Sequence, residues 1–275
     1  MSFLVVTGWI NIMKTGYDDY AFIADLYDFV PGYAYRGDLN FYLDCCRSAN
    51  GKILELGCGT GRILIPTAES GCYITGLDFS EHMLARCKQK LQEKPEEVQK
   101  RVCLVRGSMT DFNLNETFSM VIIPFRPFQH LVDVSDQMAC LKCIHKHLKD
   151  KGRLVFDFFQ VDPRKMFGSK FTEEEAEDFS WVDLPDGKKF RRSHRISAKH
   201  WSQQYNDVEL IYYVSHPDGQ VERLVQAFPF RYFFRYEVQH LLERCGFRIA
   251  EIYGNFDKSI FTDDSPEMIF VAEKC

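Results

Sequence analysis

Residues 53–61 read Ile53-Leu54-Glu55-Leu56-Gly57-Cys58-Gly59-Thr60-Gly61. An apolar run of strand length breaks into three alternate glycines, and an acidic residue, Glu55, stands two places before the first of them. Glycine admits positive φ and lets the backbone approach a ligand closely. A helix starting just after such a turn presents N–H groups that have no partner within the helix. The stretch therefore predicts a strand, a ligand-binding turn and a helix running to about Ser70. The dinucleotide fingerprint G-x-G-x-x-G needs its third glycine three places after the second. That place is Arg62 here, so the spacing is G-x-G-x-G and argues against a nicotinamide cofactor.

Working outward, strands and helices alternate. Tyr73 to Leu77 is a second apolar strand closed by Asp78, and Ser80 is placed to cap a helix from Glu81 to Lys94. Val102 to Val105 and Phe118 to Ile123 read as further strands, the latter ended by Pro124. A helix is expected over Gln137 to Leu148, a turn at Lys151-Gly152 and a fifth strand over Arg153 to Phe158. This alternation predicts βαβ units, and hence a parallel sheet covered on both faces. Tyr17 to Phe29 and Asp38 to Ser48 read as helices before the first strand. After Phe159 the helical period disappears. His194 to His200, Val208 to Ser215 and Val221 to Phe230, the last two joined by Pro217-Asp218-Gly219, predict an antiparallel meander that lies over the sheet as a lid. A helix over Arg235 to Cys245, stopped by Gly246, and strands at Phe247 to Tyr253 and Met268 to Ala272 return the chain to the main sheet.

The chain has 275 residues, 45% of them hydrophobic, 15% aromatic and 27% charged, which predicts a folded globular protein. Its net charge of −5 provides no global cationic surface for displacing counterions from a nucleic-acid duplex. The segment Phe3 to Met13 is mildly apolar but shorter than a membrane span and lacks a basic start and a cleavage site. No membrane association or export is expected, and Met13 is a second candidate start. Ten cysteines are scattered through apolar contexts, as expected for reduced thiols in the cytoplasm. Cys140, Cys143, His145 and His147 cluster in the stretch read as a helix, with no second pair to complete a tetrahedron, so no metal site is expected.

The run Ile53 to Gly61 resembles the first motif of the class I methyltransferases that use S-adenosylmethionine (SAM). Gly76-Leu77-Asp78-Phe79-Ser80 resembles the second-strand motif of that family. The resemblance continues in Gly107-Ser108-Met109-Thr110-Asp111-Phe112 and in Phe118 to Leu131, so that it covers about residues 50 to 160 in order. It implies an α/β fold: a Rossmann-like, seven-stranded, mostly parallel sheet with helices on both faces, plus the antiparallel β insertion as a lid. The divisions expected are an N-terminal helical cap (1–48), a SAM-binding core (49–160), the antiparallel insertion (161–234) and a C-terminal helix with the last two strands (235–275).

The resemblance also implies roles for individual residues. Asp78 would accept hydrogen bonds from the ribose hydroxyls, with Phe79 beside it. Glu55 would lie near the methionine amino group, although a loop-bracing role fits it equally. Gly57, Cys58, Gly59 and Gly61 would line the cofactor. Ser108 and Met109 stand where relatives hold the adenine; serine replaces the usual acidic residue, and Asp111 is an alternative carboxylate. Ser119 likewise departs from the usual aspartate. Tyr27 and Arg36 match an N-terminal tyrosine and arginine that close over the methionine end, with an ion pair from Arg36 to Asp38 or Asp28 as the other reading. Pro124-Phe125-Arg126-Pro127-Phe128-Gln129-His130 ends the fourth strand, where sulfonium and acceptor would meet. It lacks the Asp/Asn-Pro-Pro-aromatic motif of enzymes acting on nucleobase amines. His130 and Arg126 are the candidate catalytic residues; Phe125 and Phe128 shape the transfer cavity or belong to the core. The expected function is methyl transfer from SAM to N or O of a small-molecule acceptor, with a protein acceptor or a non-catalytic binding subunit as alternatives. The exposed edges of the meander suggest a homodimer.

Overall fold

The computed structural model describes residues 21–34, 36–161 and 174–275. Five strands form in the order expected: β1 (Ile53–Leu56), β2 (Ile74–Asp78), β3 (Val102–Arg106), β4 (Phe118–Ile123) and β5 (Leu148–Phe159). Two more, β10 (Phe247–Tyr253) and β11 (Glu267–Lys274), complete a seven-stranded sheet in the order β10-β11-β5-β4-β1-β2-β3. β1 pairs in parallel with β2 and with β4, with Ile53 opposite Ile74 on one side and Met120 on the other. Only β11 runs antiparallel to its neighbours, inserted between β10 and β5. The order reverses at β1, which places the carboxyl ends of β1 and β4 beside a crevice.

Two apolar layers hold this sheet. Leu54, Leu56, Val121, Phe156 and Phe270 face one cluster with the helices Val134–His147 and Arg235–Arg244. Ile53, Met120, Ile122, Val155 and Ile269 face the other, with Phe41 and Tyr42 of the helix Asp38–Ser48. Period-two alternation thus sends successive side chains of the same strands into opposite layers, which is why the strands read as continuously apolar.

A second sheet has four strands, in the order β6 (Ala176–Asp183), β7 (Lys189–His200), β8 (Tyr205–Ser215) and β9 (Val221–Arg231). It contains one strand more than the meander read from the sequence. β6 was hidden because register shifts at Glu177/Phe179 and Phe179/Val182 break its alternation. The Pro217-Asp218-Gly219 turn is closed by Gly219 N–H donating to the His216 carbonyl. Phe190, Tyr212 and Val214 of this sheet bury against Leu26 and Val30 of the N-terminal cap, so cap and insertion share one apolar cluster.

Other boundaries move for local reasons. β5 starts at Leu148 because Leu148 still pairs with Phe118; the expected Lys151-Gly152 turn becomes an irregularity before Arg153 pairs with Met120. The helix expected from Gln137 begins at Val134. Ser80 does cap its helix, Glu81–Gln92, its hydroxyl accepting from Met83 N–H at 3.3 Å. Of the first expected helix, Ala21–Leu26 is helical and Tyr27–Phe29 tightens to a 3₁₀ turn, while Tyr17 to Tyr20 and the segment around Met13 lie outside the described residues. Among the described residues no helix is long and apolar enough to cross a membrane.

Candidate functional site

A cavity of about 290 Å³ opens at the carboxyl ends of β1, β2 and β4 and is roofed by Phe228 and Pro229 of β9. Gly57 and Gly59 form its floor, both at positive φ (+72° and +54°). A methyl group added at Gly57 would strike Pro127 at 2.7 Å, whereas one at Gly59 meets nothing within 4 Å. Gly57 is therefore required by packing, and Gly59 leaves open space where a ligand can lie against the backbone. Gly61 is required by packing too, since a Cβ there would meet Cys87 Sγ at 2.7 Å. Cys58 is buried behind the loop.

At the end of β2, Asp78 faces the cavity. One carboxylate oxygen accepts from Gly59 N–H at 2.7 Å and the other from Ser80 N–H at 2.9 Å, so the carboxylate ties the glycine loop to the start of the next helix. Phe79 presents an aromatic face at the rim and is 62% exposed. Ser108 and Met109 border the same end; the Ser108 hydroxyl lies 2.7 Å from that of Thr110. Asp111 is exposed and does not line the cavity. Ser119 has a structural contact instead, donating to the Asn50 carbonyl at 2.8 Å.

Glu55 is buried, and its Oε2 has no hydrogen-bond partner among the described residues. Burial pushes its carboxyl well above the usual range; Arg62 opposes this, while Asp78 and Asp38 add to it. Glu55 is not among the residues that line the cavity; a cation brought beside it would favour its charged form.

The cap is fastened over the loop by charge. Asp28 accepts from the Thr60 hydroxyl at 2.6 Å and pairs with Lys90 at 2.9 Å, and Arg62 grips both oxygens of Asp38 at 2.6 and 2.8 Å. Tyr27 of the cap lines the cavity.

β4 is followed, after Pro124, by two consecutive non-glycine residues with left-handed backbone, Phe125 (φ 66°) and Arg126 (φ 71°). Each such residue costs on the order of 1–3 kcal/mol and persists only where its surroundings impose it. Here Asp157 of β5 imposes it. Fully buried, Asp157 accepts from the Phe125 amide (2.9 Å), the Tyr42 hydroxyl (2.6 Å) and Arg36 (2.6 Å). Phe125 lines the cavity with Tyr33 packed on its ring at 4.7 Å.

Two expected residues are placed elsewhere. Arg126 was expected beside the acceptor, but it is only 7% exposed, does not line the cavity, and turns to Glu267 of β11 at 2.6 Å with its guanidinium over the Phe159 ring. Its left-handed backbone directs the side chain into the interior. Arg36 lies behind Phe125, not in the cavity, and bonds Asp38, Asp157 and Glu267 at 3.0, 2.6 and 3.2 Å. The ion-pair reading with Asp38 is the one observed, while Asp28 goes to Lys90. Phe128 is core, stacked among Phe156, Phe158 and Phe233.

His130 does line the cavity, partly buried between Phe228 and Phe230 at ring-centroid distances of 5.0 and 5.2 Å. Burial lowers its pKa to about 4, so the imidazole is neutral at pH 7. Gln129 beside it reaches out of the core, donating to the Arg231 carbonyl at 2.6 Å and accepting from Phe159 N–H at 3.1 Å, which fastens β9 over the site. Sequence reasoning missed Asp157, Glu267, Arg62 and Gln129, because each acts through a partner distant in the chain.

Among the described residues no three His, Cys, Asp or Glu side chains converge as a metal site would require. His147 braces the loop that follows β3 instead: one ring nitrogen accepts from Leu114 N–H at 3.1 Å and the other lies 2.7 Å from the Cys143 carbonyl.

Residues 53–152 match the family model of a methyltransferase domain. The chain is 24% identical to a putative methyltransferase, YqeM, of Bacillus subtilis, over 93% of this chain and 97% of the relative. It is 27% identical to a dTDP-3-amino-3,4,6-trideoxy-alpha-D-glucopyranose N,N-dimethyltransferase of Streptomyces venezuelae, over 50% of this chain and 56% of that one. Among solved structures, the CcbJ methyltransferase of Streptomyces caelestis superposes with a TM-score of 0.73 at 22% identity, covering 95% of this chain and 98% of the other.

Proposed function

We propose that this chain, a SAM-dependent methyltransferase of the class I fold, transfers the methyl group to a nitrogen of a small-molecule acceptor. The observation that carries this reading is one cavity running from the glycine loop and Asp78 to His130, Phe228 and Pro229 of the lid. Three features fit the cofactor: the open space over Gly59, the unpartnered Glu55 Oε2 and the exposed face of Phe79. When bound, the cofactor supplies a methyl group already activated on a cationic sulfur.

In this reading Asp78 receives the ribose hydroxyls, Phe79 stacks on the adenine beside Ser108 and Met109, and Glu55 meets the amino group. Tyr27, Phe125 and Phe228 close around the transfer point and exclude water. Alignment of the reacting atoms can account for about 7–11 kcal/mol of the barrier. His130, neutral at pH 7, accepts a hydrogen bond from the acceptor N–H and turns the nitrogen lone pair toward the methyl group. Nitrogen is favoured over oxygen because a neutral amine attacks through its lone pair without first losing a proton, whereas a hydroxyl needs a base to take its proton. The Streptomyces venezuelae relative is itself named for N-methylation. We assign residues 1–48 as the cap, 49–160 as the cofactor-binding core, 161–234 as the acceptor lid and 235–275 as the sheet's closing segment, in a cytoplasmic enzyme.

Calorimetric titration with S-adenosylhomocysteine tests the cofactor assignment. Wild type is expected to bind, and Asp78→Ala to bind at least 50-fold more weakly, since charge-assisted hydrogen bonds contribute about 1.5–3 kcal/mol each. Labelled SAM with a panel of small amines and the corresponding alcohols then tests the acceptor. Transfer to alcohols alone would refute the nitrogen assignment.

A further inference from the structure

Gln226 has a side chain that the fold buries and leaves unmatched. It is 0% exposed, and neither its amide oxygen nor its nitrogen has a hydrogen-bond partner among the described residues. A buried amide in that state has given up its bonds to water and received none in return, which is rare in a native chain and calls for a reason.

Its position supplies one. Gln226 stands on β9 two residues before Phe228, and residues two apart on a strand share a face, about 7 Å apart. Phe228 lines the cavity, and Phe228 and Phe230 both pack on His130, so this face of β9 is turned toward the transfer point. Across the sheet Gln226 is opposite Leu210, which packs with Leu224 in the apolar cluster between lid and cap. A polar amide thus sits in an apolar wall, next to a residue that lines the acceptor end. A hydrocarbon side chain would suit that wall better in the free protein.

We propose that Gln226 recognises the acceptor: its amide swings past Phe228 to bond a polar substituent beside the methylated nitrogen. Both atoms of the amide are unmatched, so the partner must donate and accept, as a hydroxyl does. The substrate class is therefore a hydroxylated amine. This rests on the methyltransferase reading of the cavity and narrows it.

The test uses Gln226→Leu and Gln226→Met in the full chain with three readouts: the thermal midpoint, S-adenosylhomocysteine affinity, and methyl transfer from labelled SAM to paired probes. The pairs are 3-amino-3-deoxyglucose with 3-aminotetrahydropyran, and 2-aminocyclohexanol with cyclohexylamine. Wild type is expected to prefer the hydroxylated member of a pair at least tenfold in kcat/KM. Both variants are expected to lose that preference, keep wild-type S-adenosylhomocysteine affinity and melt at a higher temperature. A fall in midpoint in both variants overturns the proposal, because it shows that the fold uses the amide. Retention of the preference by the variants overturns it as well, as does a wild type that binds S-adenosylhomocysteine but methylates neither member of any pair. Failure of wild type to bind S-adenosylhomocysteine is a separate result that removes the cofactor reading itself.

Discussion

The amide of Phe125 donates a 2.9 Å hydrogen bond to Asp157 Oδ1, joining the turn just past β4 to the C-terminal end of β5 beside the cavity. The same carboxylate receives Arg36 and Tyr42, at 2.6 Å each. One buried group therefore holds the cap helix, the cap arginine and the left-handed turn that carries the cavity-lining Phe125. Burial by itself would raise the Asp157 pKa, but Arg36, Arg126 and the Tyr42 hydroxyl outweigh it and hold the carboxyl below its ordinary value.

Asp157→Asn is expected to destabilise the protein by about 3–5 kcal/mol, the usual cost of removing one partner from a buried ion pair. At roughly 2–4 °C per kcal/mol the thermal midpoint falls on the order of 10 °C. Because the folded pKa is depressed, the stability from this group is present above its unfolded value of 3.8 and is lost as pH falls through the lower folded value. Thermal melts below pH 3.8 should then fall more steeply in wild type than in the variant. Equal slopes would mean that Asp157 is not the ion-paired anion described.

The glycine loop, Asp78 and all seven strands of the main sheet were legible because their signals are local: apolar runs, glycine spacing and a capping serine. The charge network was not. Arg36 meets Asp157 and Glu267 across 121 and 231 residues, and Arg126 meets Glu267 across 141. No periodicity marks such pairs, so an arginine at a strand end reads as functional when the fold uses it structurally. β6 was lost because its bulges break the alternation. His130 was found because it lies directly on the strand-to-helix junction that the ligand rule indicates.

His130 carries a pH signature of its own. A histidine whose folded pKa is lowered to about 4 stays neutral while the unfolded chain, near 6.5, takes up a proton. Unfolding is thereby favoured progressively as pH falls from 6.5 to 4, with no effect above that window. His130→Phe should flatten this slope in thermal melts. Its methyl-transfer rate should fall on the order of 10–100-fold through loss of acceptor orientation. A slope unchanged by the substitution would assign the pH dependence to other groups.

Glu55 gives a cofactor-linked prediction. Burial raises the pKa of its carboxyl in the free chain, and an arriving ammonium would favour its ionised form. Binding of S-adenosylhomocysteine should therefore be accompanied by proton release from Glu55. Calorimetric titrations in buffers of differing ionisation enthalpy should give a measurable slope for wild type that Glu55→Gln lacks. A flat wild-type plot would place the amino group away from Glu55.

Two glycines of the same loop should fail in different ways. At Gly57 an added methyl group meets Pro127 carbons at 2.7 and 2.9 Å, and the backbone is at φ +72°. Gly57→Ala must therefore shift the segment that carries His130, and it should lower the thermal midpoint and the S-adenosylhomocysteine affinity together. At Gly59 the backbone is also left-handed, at φ +54°, but a methyl group meets no atom of the described residues within 4 Å. Gly59→Ala should cost only the left-handed penalty, about 1–2 kcal/mol. Its methyl group projects into the space assigned to the cofactor, so affinity should fall by at least 100-fold, out of proportion to the modest loss of stability. Measuring midpoint and affinity for both variants separates a packing glycine from a ligand-facing one. Wild-type affinity in Gly59→Ala would mean that the cofactor does not lie against this loop.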